Sequence, residues 1–251
     1  DLYRSQLDPN TAQPSATPDW SARDLLNANT SRTLYMRDTS GGLKAFDWSV
    51  MTATEKAYFT LPNVSTLSQF CVLGPSCISA TDQALAVGAN LVDFLRGIRT
   101  NEGPKSDASK YFRERAHVLG DIVSAEAVYV KAPRFNYADA GFSAFAAAKA
   151  TRPATVYVAA NDGFLHAFNA DTGDERWAFV PSFVLPNMYK LADKDYPNAH
   201  NFFLDGSPVA GDVYVGGVWK TILVGGQNAG GRGYYALDIT DPTAPQFLWE
   251  F

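Results

Sequence analysis

Alternating apolar and polar positions recur in three stretches of the chain. TLYMRDTSGGLKAFD (Thr33 to Asp47) aligns without gaps on TVYVAANDGFLHAFN (Thr155 to Asn169), and TILVGGQNAGGRGYYALD (Thr221 to Asp238) repeats the pattern with a longer turn. Each copy predicts a β-hairpin, because period-two alternation flanks a glycine-containing turn. LGDIVSAEAVYV (residues 119–130) and LDGSPVAGDVYV (residues 204–215) precede the second and third copies. The repeated unit is therefore expected to contain at least three strands.

A turn and a tryptophan follow the second hairpin in AFNADTGDERW, Ala167 to Trp177. Asn169, Asp171 and Gly173 are residues that tolerate the left-handed backbone of tight turns, and they are expected to turn the chain toward an outer strand. Trp177 is expected to pack against the next repeat, with its N–H on a backbone carbonyl. The third copy has the same ending, with structural docking positions at Ala236, Asp238 and Trp249.

This ending resembles the tryptophan-docking motif A-x-D-x-x-T-G-x-x-x-W of quinoprotein-type β-propellers, with Asn169 at the Asp position. Repeats that cannot bury their faces alone stack radially or as solenoids. The expected fold is mainly β: an incomplete quinoprotein-alcohol-dehydrogenase-like β-propeller with helical insertions. Residues 1–251 form one partial propeller domain in this interpretation, a sector of a larger wheel, since propellers usually have about 4–8 blades. Hairpin repeats are placed near 33–47, 155–177 and 221–249, and helical insertions near 52–112, 138–150 and 183–193.

Four helices are predicted between the repeats. Thr52 to Glu55 is a capping-box pattern. Asp82 is a candidate N-cap for a helix that carries Leu91, Leu95 and Ile98 at helical spacing. The other two helices are expected over Asp139 to Lys149 and Val184 to Ala192.

Composition narrows the function classes. Hydrophobic residues make up 46% of the chain and charged residues 19%, which predicts a packed globular protein. The net charge of −5 argues against nucleic acid as a partner. No run of 18 apolar residues predicts a transmembrane segment, and the opening DLYRSQLDPN suggests a cut N-terminus.

The two cysteines stand close together in CVLGPSC, at Cys71 and Cys77. Gly74 and Pro75 allow this loop to turn back, so we expect a disulfide, with two reduced thiols as the alternative. A disulfide would place the protein in the periplasm or outside the cell.

No residue is predicted to be catalytic, to bind a cofactor or to ligate a metal. His117, His166 and His200 lack metal-ligand spacing, and Asp193 and Asp195 are expected in a solvated loop. VGGQNAGGRG is expected to be a hairpin turn and not a phosphate-binding loop, because a strand follows it. Asn169, Asp171 and Asp174 come nearest to a calcium loop but belong to the docking turn.

Several ordered blocks resemble the C-terminal propeller domain of the PilY/PilC family, among them RERAHVLGDIV, VYVAANDGFLHAFNADTG, FVPSFVLPNMYKLA and WKTILVGGQNAGGRGYYALDITDPTAPQFLWEF. The family usually continues His-Ser-x-Pro after LGDIV, whereas this chain has Ser124 to Ala127. The departure argues against a role carried by that histidine, but not against the expected strand.

The resemblance implies a non-enzymatic type IV pilus biogenesis factor and tip adhesin of the periplasm, pilus tip or cell surface of a Gram-negative bacterium. Minor pilins of the pilus-tip complex are the implied partners, together with a host-cell or surface receptor, and the implied roles are pilus assembly, adhesion and twitching motility. It also implies calcium in a further part of the propeller, with no cofactor in this chain. The alternatives are a PQQ-dependent quinoprotein dehydrogenase fragment, which shares the docking motif, and a periplasmic propeller assembly scaffold.

Overall fold

The computed structural model describes all residues from 1 to 251. Its strands include the three predicted hairpin repeats. In chain order the strands are β1 (Tyr3–Arg4), β2 (Trp20–Ser21), β3 (Leu34–Arg37), β4 (Leu43–Ala45), β5 (Glu102–Gly103), β6 (Phe112–Arg113), β7 (Val128–Val130), β8 (Thr155–Ala159), β9 (Leu165–Asn169), β10 (Glu175–Val180), β11 (Val209–Val215), β12 (Val218–Gly226), β13 (Tyr234–Asp238) and β14 (Gln246–Glu250).

Two larger sheets contain most of these strands. The first sheet has the order β4-β3-β10-β9-β8-β7, and the second sheet has the order β11-β12-β13-β14. Strands β7 to β10 and β11 to β14 are both antiparallel meanders that begin with a Val-Tyr-Val strand. β1 with β2 and β5 with β6 form two small separate sheets.

The hairpin at residues 33–47 forms, but it does not build a sheet of its own. β3 pairs in parallel with β10, so that Leu34 lies opposite Ala178 and Met36 opposite Val180. No Val-Tyr-Val strand precedes this copy in the sequence, and the hairpin instead covers the otherwise open edge of β10. The three hairpin copies therefore make two sheets.

Helices lie between the strand repeats. They are α1 (Ala22–Ala28), α2 (Ala53–Ala57), α3 (Leu61–Val64), α4 (Ala80–Leu85), α5 (Ala89–Arg96) and α6 (Phe142–Ala148), with 3-10 turns at Trp48–Val50, Ser68–Phe70, Leu185–Ala192, Tyr196–Asn198 and Asn228–Gly230. None of these helices has the length and apolar character needed to cross a bilayer.

Capping explains where the helices around residues 52–97 begin and end. The Thr52 capping box is present at the start of α2. The prediction that Asp82 caps a single long helix is wrong, because the Ser79 hydroxyl accepts the Asp82 backbone N–H and begins α4. Gly88, with φ of 60°, separates α4 from α5, and Gly97, with φ of 108°, ends α5. A positive φ suits glycine, which has no Cβ to clash.

The remaining two helix predictions have the right location but different extents. The helix predicted over Asp139 to Lys149 is α6, which begins at Phe142 because Gly141, the residue before it, has φ of 79°. Ile98 lies beyond α5 and is 42% exposed. The predicted helix over Val184 to Ala192 is a 3-10 helix from Leu185, with Pro186 in its first turn.

One contiguous hydrophobic core joins the sheets to the helices. Four of the five residues of β9 are buried, and the segment around Phe46 packs against the turn that precedes β9. The Phe46 ring lies edge-on to Phe59 and Phe164, with centroids 6.4 and 5.6 Å apart. Burying each such side chain contributes about 1.5–3 kcal/mol.

The predicted disulfide between Cys71 and Cys77 is confirmed, with Cα atoms 5.1 Å apart. Val72 and Leu73, at the tip of the closed loop, are 92% and 90% exposed. The bond closes a loop at the surface and leaves two apolar side chains in solvent.

Candidate functional site: docking turns and an aromatic surface

Trp177 of β10 joins the two sheets. Its side chain is 1% exposed, and its indole N–H donates a hydrogen bond of 2.8 Å to the Pro242 carbonyl, in the turn between β13 and β14. Phe179 continues the contact, with its ring centroid 5.6 Å from that of Tyr235. The outer strand of one sheet is thus held on the outer turn of the next by an indole that satisfies a backbone acceptor.

The turn before Trp177 is built differently from the sequence-based expectation. Asn169 and Asp171 do not have positive φ, whereas Gly173 does, at 79°. The Asn169 side chain accepts the Asp171 backbone N–H, an Asx-turn that short polar side chains make readily. A Cβ on Gly173 would lie 2.6 Å from the Trp20 ring, so close packing also requires glycine here. Ala167 lies opposite Trp177 in the strand register and is fully buried.

The docking motif of the second sheet has the same strand register as that of the first sheet, but no neighbouring sheet packs on its tryptophan. Ala236 lies opposite Trp249, as Ala167 lies opposite Trp177. The Asp238 carboxylate accepts the Thr240 backbone N–H and pairs with the Lys220 amine at 2.8 Å. Trp249 is 40% exposed and stacks only on Phe251, with centroids 5.4 Å apart. Within this chain, Trp249 occupies the position of Trp177 without a sheet packed on it.

Trp20 makes a corresponding contact that the sequence analysis missed. It is 8% exposed, and its indole N–H donates to the Ala170 carbonyl at 3.1 Å, in the turn between β9 and β10. Each of the two larger sheets therefore receives an indole on its outer turn. No A-x-D-x-x-T-G segment precedes Trp20, so the motif could not reveal it.

A buried ionic cluster holds the first sheet beside this turn. His166 lies between Asp162 and Glu175, at 3.1 and 2.8 Å, and Arg32 forms a bidentate pair with Glu175 at 2.7 and 2.8 Å. Burial lowers the pKa of His166, but the Asp162 and Glu175 carboxylates outweigh burial and raise it to about 9. Burial raises the pKa of Glu175, but Arg32 and His166 outweigh burial and lower it to about 2. The cluster is charged at neutral pH and links β9, β10 and the segment before β3.

The other predicted polar residues are scattered, and one is less solvated than expected. The Asn27 side-chain amide donates to Nδ1 of the His117 ring, and His200 lies 3.1 Å from Asp121. Asp193 is half-buried, and its carboxylate accepts the Ser68 backbone N–H and hydroxyl. Asp195 pairs with Lys105 at 2.7 Å near the surface.

No group of three or more His, Cys, Asp or Glu side chains is arranged to hold a metal ion. Asn169 and Asp171 serve the docking turn, and the Asp174 carboxylate accepts the Thr172 hydroxyl. The glycine-rich stretch is a connection between antiparallel β12 and β13, with a short 3-10 turn at Asn228–Gly230. Calcium binding outside this chain stays a prediction.

An aromatic surface lies where the first strands of the two sheets meet, and we define it as Tyr129, Phe135, Tyr137, Tyr214 and Trp219. β7 and β11 contact each other there, and each is an edge strand. Tyr129, Phe135, Tyr137 and Tyr214 are 42%, 65%, 38% and 59% exposed. Single exposed apolar side chains are normal on a protein surface, whereas a group of four exposed aromatic rings is not.

Local structure holds these rings in place. Tyr137 stacks on Trp219, with centroids 5.6 Å apart and planes 11° apart, and Tyr214 lies 5.6 Å from Trp219 on another side. The Trp219 N–H donates to the Ala140 carbonyl at 3.1 Å. Beneath them Phe142 of α6 is buried, 4.7 Å from Trp219.

A tight hairpin carries Tyr214 and Trp219. Val215 pairs with Val218 across Gly216 and Gly217, whose φ values are 63° and 84°. Two consecutive positive φ angles define a turn whose twist matches the strands, and glycine adopts them without strain. The rings are therefore presented on a short, rigid hairpin, and little conformational entropy remains to be lost on binding.

Comparisons with known proteins agree with these features. The family model described as the PilY1 beta-propeller domain matches residues 119–251, from the segment before β7 to the end of β14. The type IV pilus biogenesis factor PilY1 of Pseudomonas aeruginosa (strain PAK) is 36% identical over 263 residues, covering 100% of this chain and 21% of that protein. A PilY1 homolog of Xylella fastidiosa (strain Temecula1) is 36% identical over 221 residues, covering 84% of this chain and 17% of that protein.

One solved structure is also similar. The crystal structure of the Pseudomonas aeruginosa PilY1 C-terminal domain is 41% identical, with a TM-score of 0.39 over 49% of this chain and 24% of that chain. The present chain spans about a fifth of the length of the curated relatives it matches.

The two repeated antiparallel meanders, β7 to β10 and β11 to β14, and the matching family model define a mainly β protein of the β-propeller class. The family model covers more than half of the chain. The chain belongs to the PilY1 β-propeller family, and the resemblance to PilY/PilC proteins is confirmed. The relatives are named as pilus biogenesis factors and not as enzymes.

Proposed function

We propose that this chain is a non-enzymatic module of a type IV pilus tip protein, which promotes pilus assembly by binding minor pilins through the aromatic surface. Membership of a family whose relatives are named type IV pilus biogenesis factors supports a role at the pilus. The confirmed disulfide supports location in the periplasm or at the cell surface, where thiols oxidise. Adhesion and twitching motility would follow from the same assembly role.

The aromatic surface is the observation that carries the proposal. Specific interfaces bury about 1,200–2,000 Å² in total, and Tyr and Trp are among the residues that dominate their energy. Tyr137, Tyr214 and Trp219 are already ordered against each other, so binding would restrict few side-chain rotamers. Edge strands β7 and β11 beside the rings add backbone groups that a partner could pair with.

The docking turns support a quinoprotein-like wheel as the scaffold for this surface. Trp20 and Trp177 each donate to the outer turn of a sheet. We propose that a further sheet packs on exposed Trp249 in the same manner, and that the segments near 52–112, 138–150 and 183–193 are insertions on the wheel.

Whole-cell assays test the proposal. In the intact gene, Phe135→Ser with Tyr214→Ser should reduce surface pili and twitching zones while the protein level stays normal. Val72→Ser with Leu73→Ser is the matched control, since it also removes two exposed apolar side chains but at the disulfide loop. Equal piliation in both strains would contradict the proposed role of the aromatic surface.

A further inference from the structure

A small cavity lies beside the end of β6, and none of the residues of the aromatic surface lines it. Its volume is about 180 Å³, and its walls include Arg113, Arg115, Asp121, Leu191 and Tyr196. Pockets for drug-sized ligands have about 300–1,000 Å³, so this cavity has room for one side chain or one small organic ion.

Arg113 is the arginine of this cavity that lacks a counter-ion. Its Nε donates to the Leu191 carbonyl at 2.5 Å, and its guanidinium lies over the Tyr196 ring at 4.5 Å from the centroid. No carboxylate oxygen lies within ion-pair distance, and its Nη groups donate to no protein atom. Burial lowers the pKa of Arg113, and the Tyr196 side chain, followed by the Glu102 and Asp121 carboxylates, opposes this. One carbonyl and one ring thus hold the guanidinium in place while its outer edge stays free.

The surrounding charges leave a local positive excess. Arg99 and Arg115 share the single carboxylate of Glu102. Burial lowers the pKa of Arg115 to about 10; Glu102 opposes this, and the neighbouring positive charges of Arg113 and Arg99 add to the lowering. Three guanidinium groups therefore lie around one carboxylate on this side of the cavity, with Asp121 and Asp162 on the other side.

The acidic residues on the other side of the cavity already have partners. The Asp121 carboxylate lies 3.1 Å from the Asn161 amide and 3.1 Å from the His200 ring. Asp162 is paired with His166 at 3.1 Å. Neither carboxylate lies within ion-pair distance of Arg113, so its guanidinium has no direct counter-ion in the cavity.

We propose that this cavity binds a carboxylate, with Arg113 as its main ligand and the Tyr196 ring against the adjoining carbon atoms. A guanidinium presents two parallel N–H groups whose geometry matches a carboxylate. The carboxylate belongs either to a small free acid or to a polypeptide, as an Asp, Glu or C-terminal group. This site goes beyond the proposed role of the aromatic surface and does not depend on it.

Calorimetric titration of the purified protein tests the site with defined probes. Glutarate represents a free acid, and acetyl-Ala-Ala-Glu amide represents a polypeptide carboxylate; glutaramide is the uncharged control. We expect at least one acid to bind and the diamide not to bind. Tighter binding of glutarate identifies a free acid as the ligand, and tighter binding of the peptide identifies a polypeptide.

Variants link the binding to Arg113. Arg113→Gln should weaken binding at least about tenfold, as expected for loss of a charged hydrogen-bond donor. Arg134→Gln is the matched control, because Arg134 is exposed and lies over Tyr129 on the aromatic surface. If Arg113→Gln does not fold, Ala116→Trp blocks the cavity from an exposed wall position without changing a charge.

Three outcomes would overturn the proposal. The first is that neither acid binds at about 10 mM, a concentration that detects millimolar Kd values. The second is that the diamide binds as tightly as the acids. The third is that binding is unchanged in both Arg113→Gln and Ala116→Trp.

Discussion

Replacing Trp177 by Phe tests the contact between the two sheets. The change keeps an aromatic ring but removes the N–H that donates to the Pro242 carbonyl at 2.8 Å. Trp177 is 1% exposed and Pro242 is buried, so water cannot easily replace the lost donor. Trp249→Phe is the matched control, because Trp249 has the same repeat position and is 40% exposed.

The expected loss follows from two contributions. Leaving a buried acceptor unsatisfied costs about 1–3 kcal/mol. The smaller ring also leaves a cavity, at a cost below the roughly 3–5 kcal/mol of a full truncation to alanine. We therefore expect Trp177→Phe to lower the free energy of unfolding by about 2–3 kcal/mol. Trp249→Phe should change it by less than about 0.5 kcal/mol.

Urea unfolding followed by circular dichroism measures both variants, with thermal melting as a second readout. A loss of this size lowers Tm by about 5–10 °C in a chain of this length. Equal stability of the two variants would refute the docking role of Trp177, as would a larger loss at Trp249.

Three further predictions concern stability. The charged form of His166 stabilises the fold by up to about 3 kcal/mol. This stabilisation is complete below the unfolded pKa of about 6.5 and is lost as pH rises through about 9. Urea midpoints measured from pH 6 to 10 should therefore fall in wild type and in His200→Gln but change less in His166→Asn. Replacing Cys71 and Cys77 by Ser should cost no more than about 2 kcal/mol, since the closed loop is short; a cooperative loss of the whole fold at room temperature would contradict this. Tyr235→Phe should be neutral or stabilising by up to about 1 kcal/mol, because its buried hydroxyl has no partner; a calorimetric melt that shows a clear loss would disprove this.

Local patterns predicted the strands well. The hairpin at Thr155 to Asn169 and the Val-Tyr-Val strands could be read from alternation and turn residues, because both act over a few neighbouring positions. The parallel pairing of β3 with β10 could not be predicted, since it joins residues more than 140 positions apart. The break between α4 and α5 was missed because apolar spacing continues across it, although Gly88, with φ of 60°, lies outside the helical conformation.

The candidate sites were harder to predict from the sequence than the strands, because they depend on tertiary contacts. Trp177 had a motif, whereas Trp20 and the rings around Trp219 had none and became apparent only from packing. The His166 cluster brings Arg32 to Glu175 across 143 positions, and nothing local to His166 indicates a buried charge. Long-range pairing of this kind is beyond the reach of sequence periodicity.

Binding to minor pilins tests the central proposal most directly. The purified protein would be titrated calorimetrically with the minor pilins of the same organism, and the mixture passed over a size-exclusion column. We expect a stoichiometric complex, with Kd raised at least about tenfold by Phe135→Ser with Tyr214→Ser, as for loss of interface hot spots. A folded protein that forms no complex, or a complex unaffected by this double change, would contradict the account.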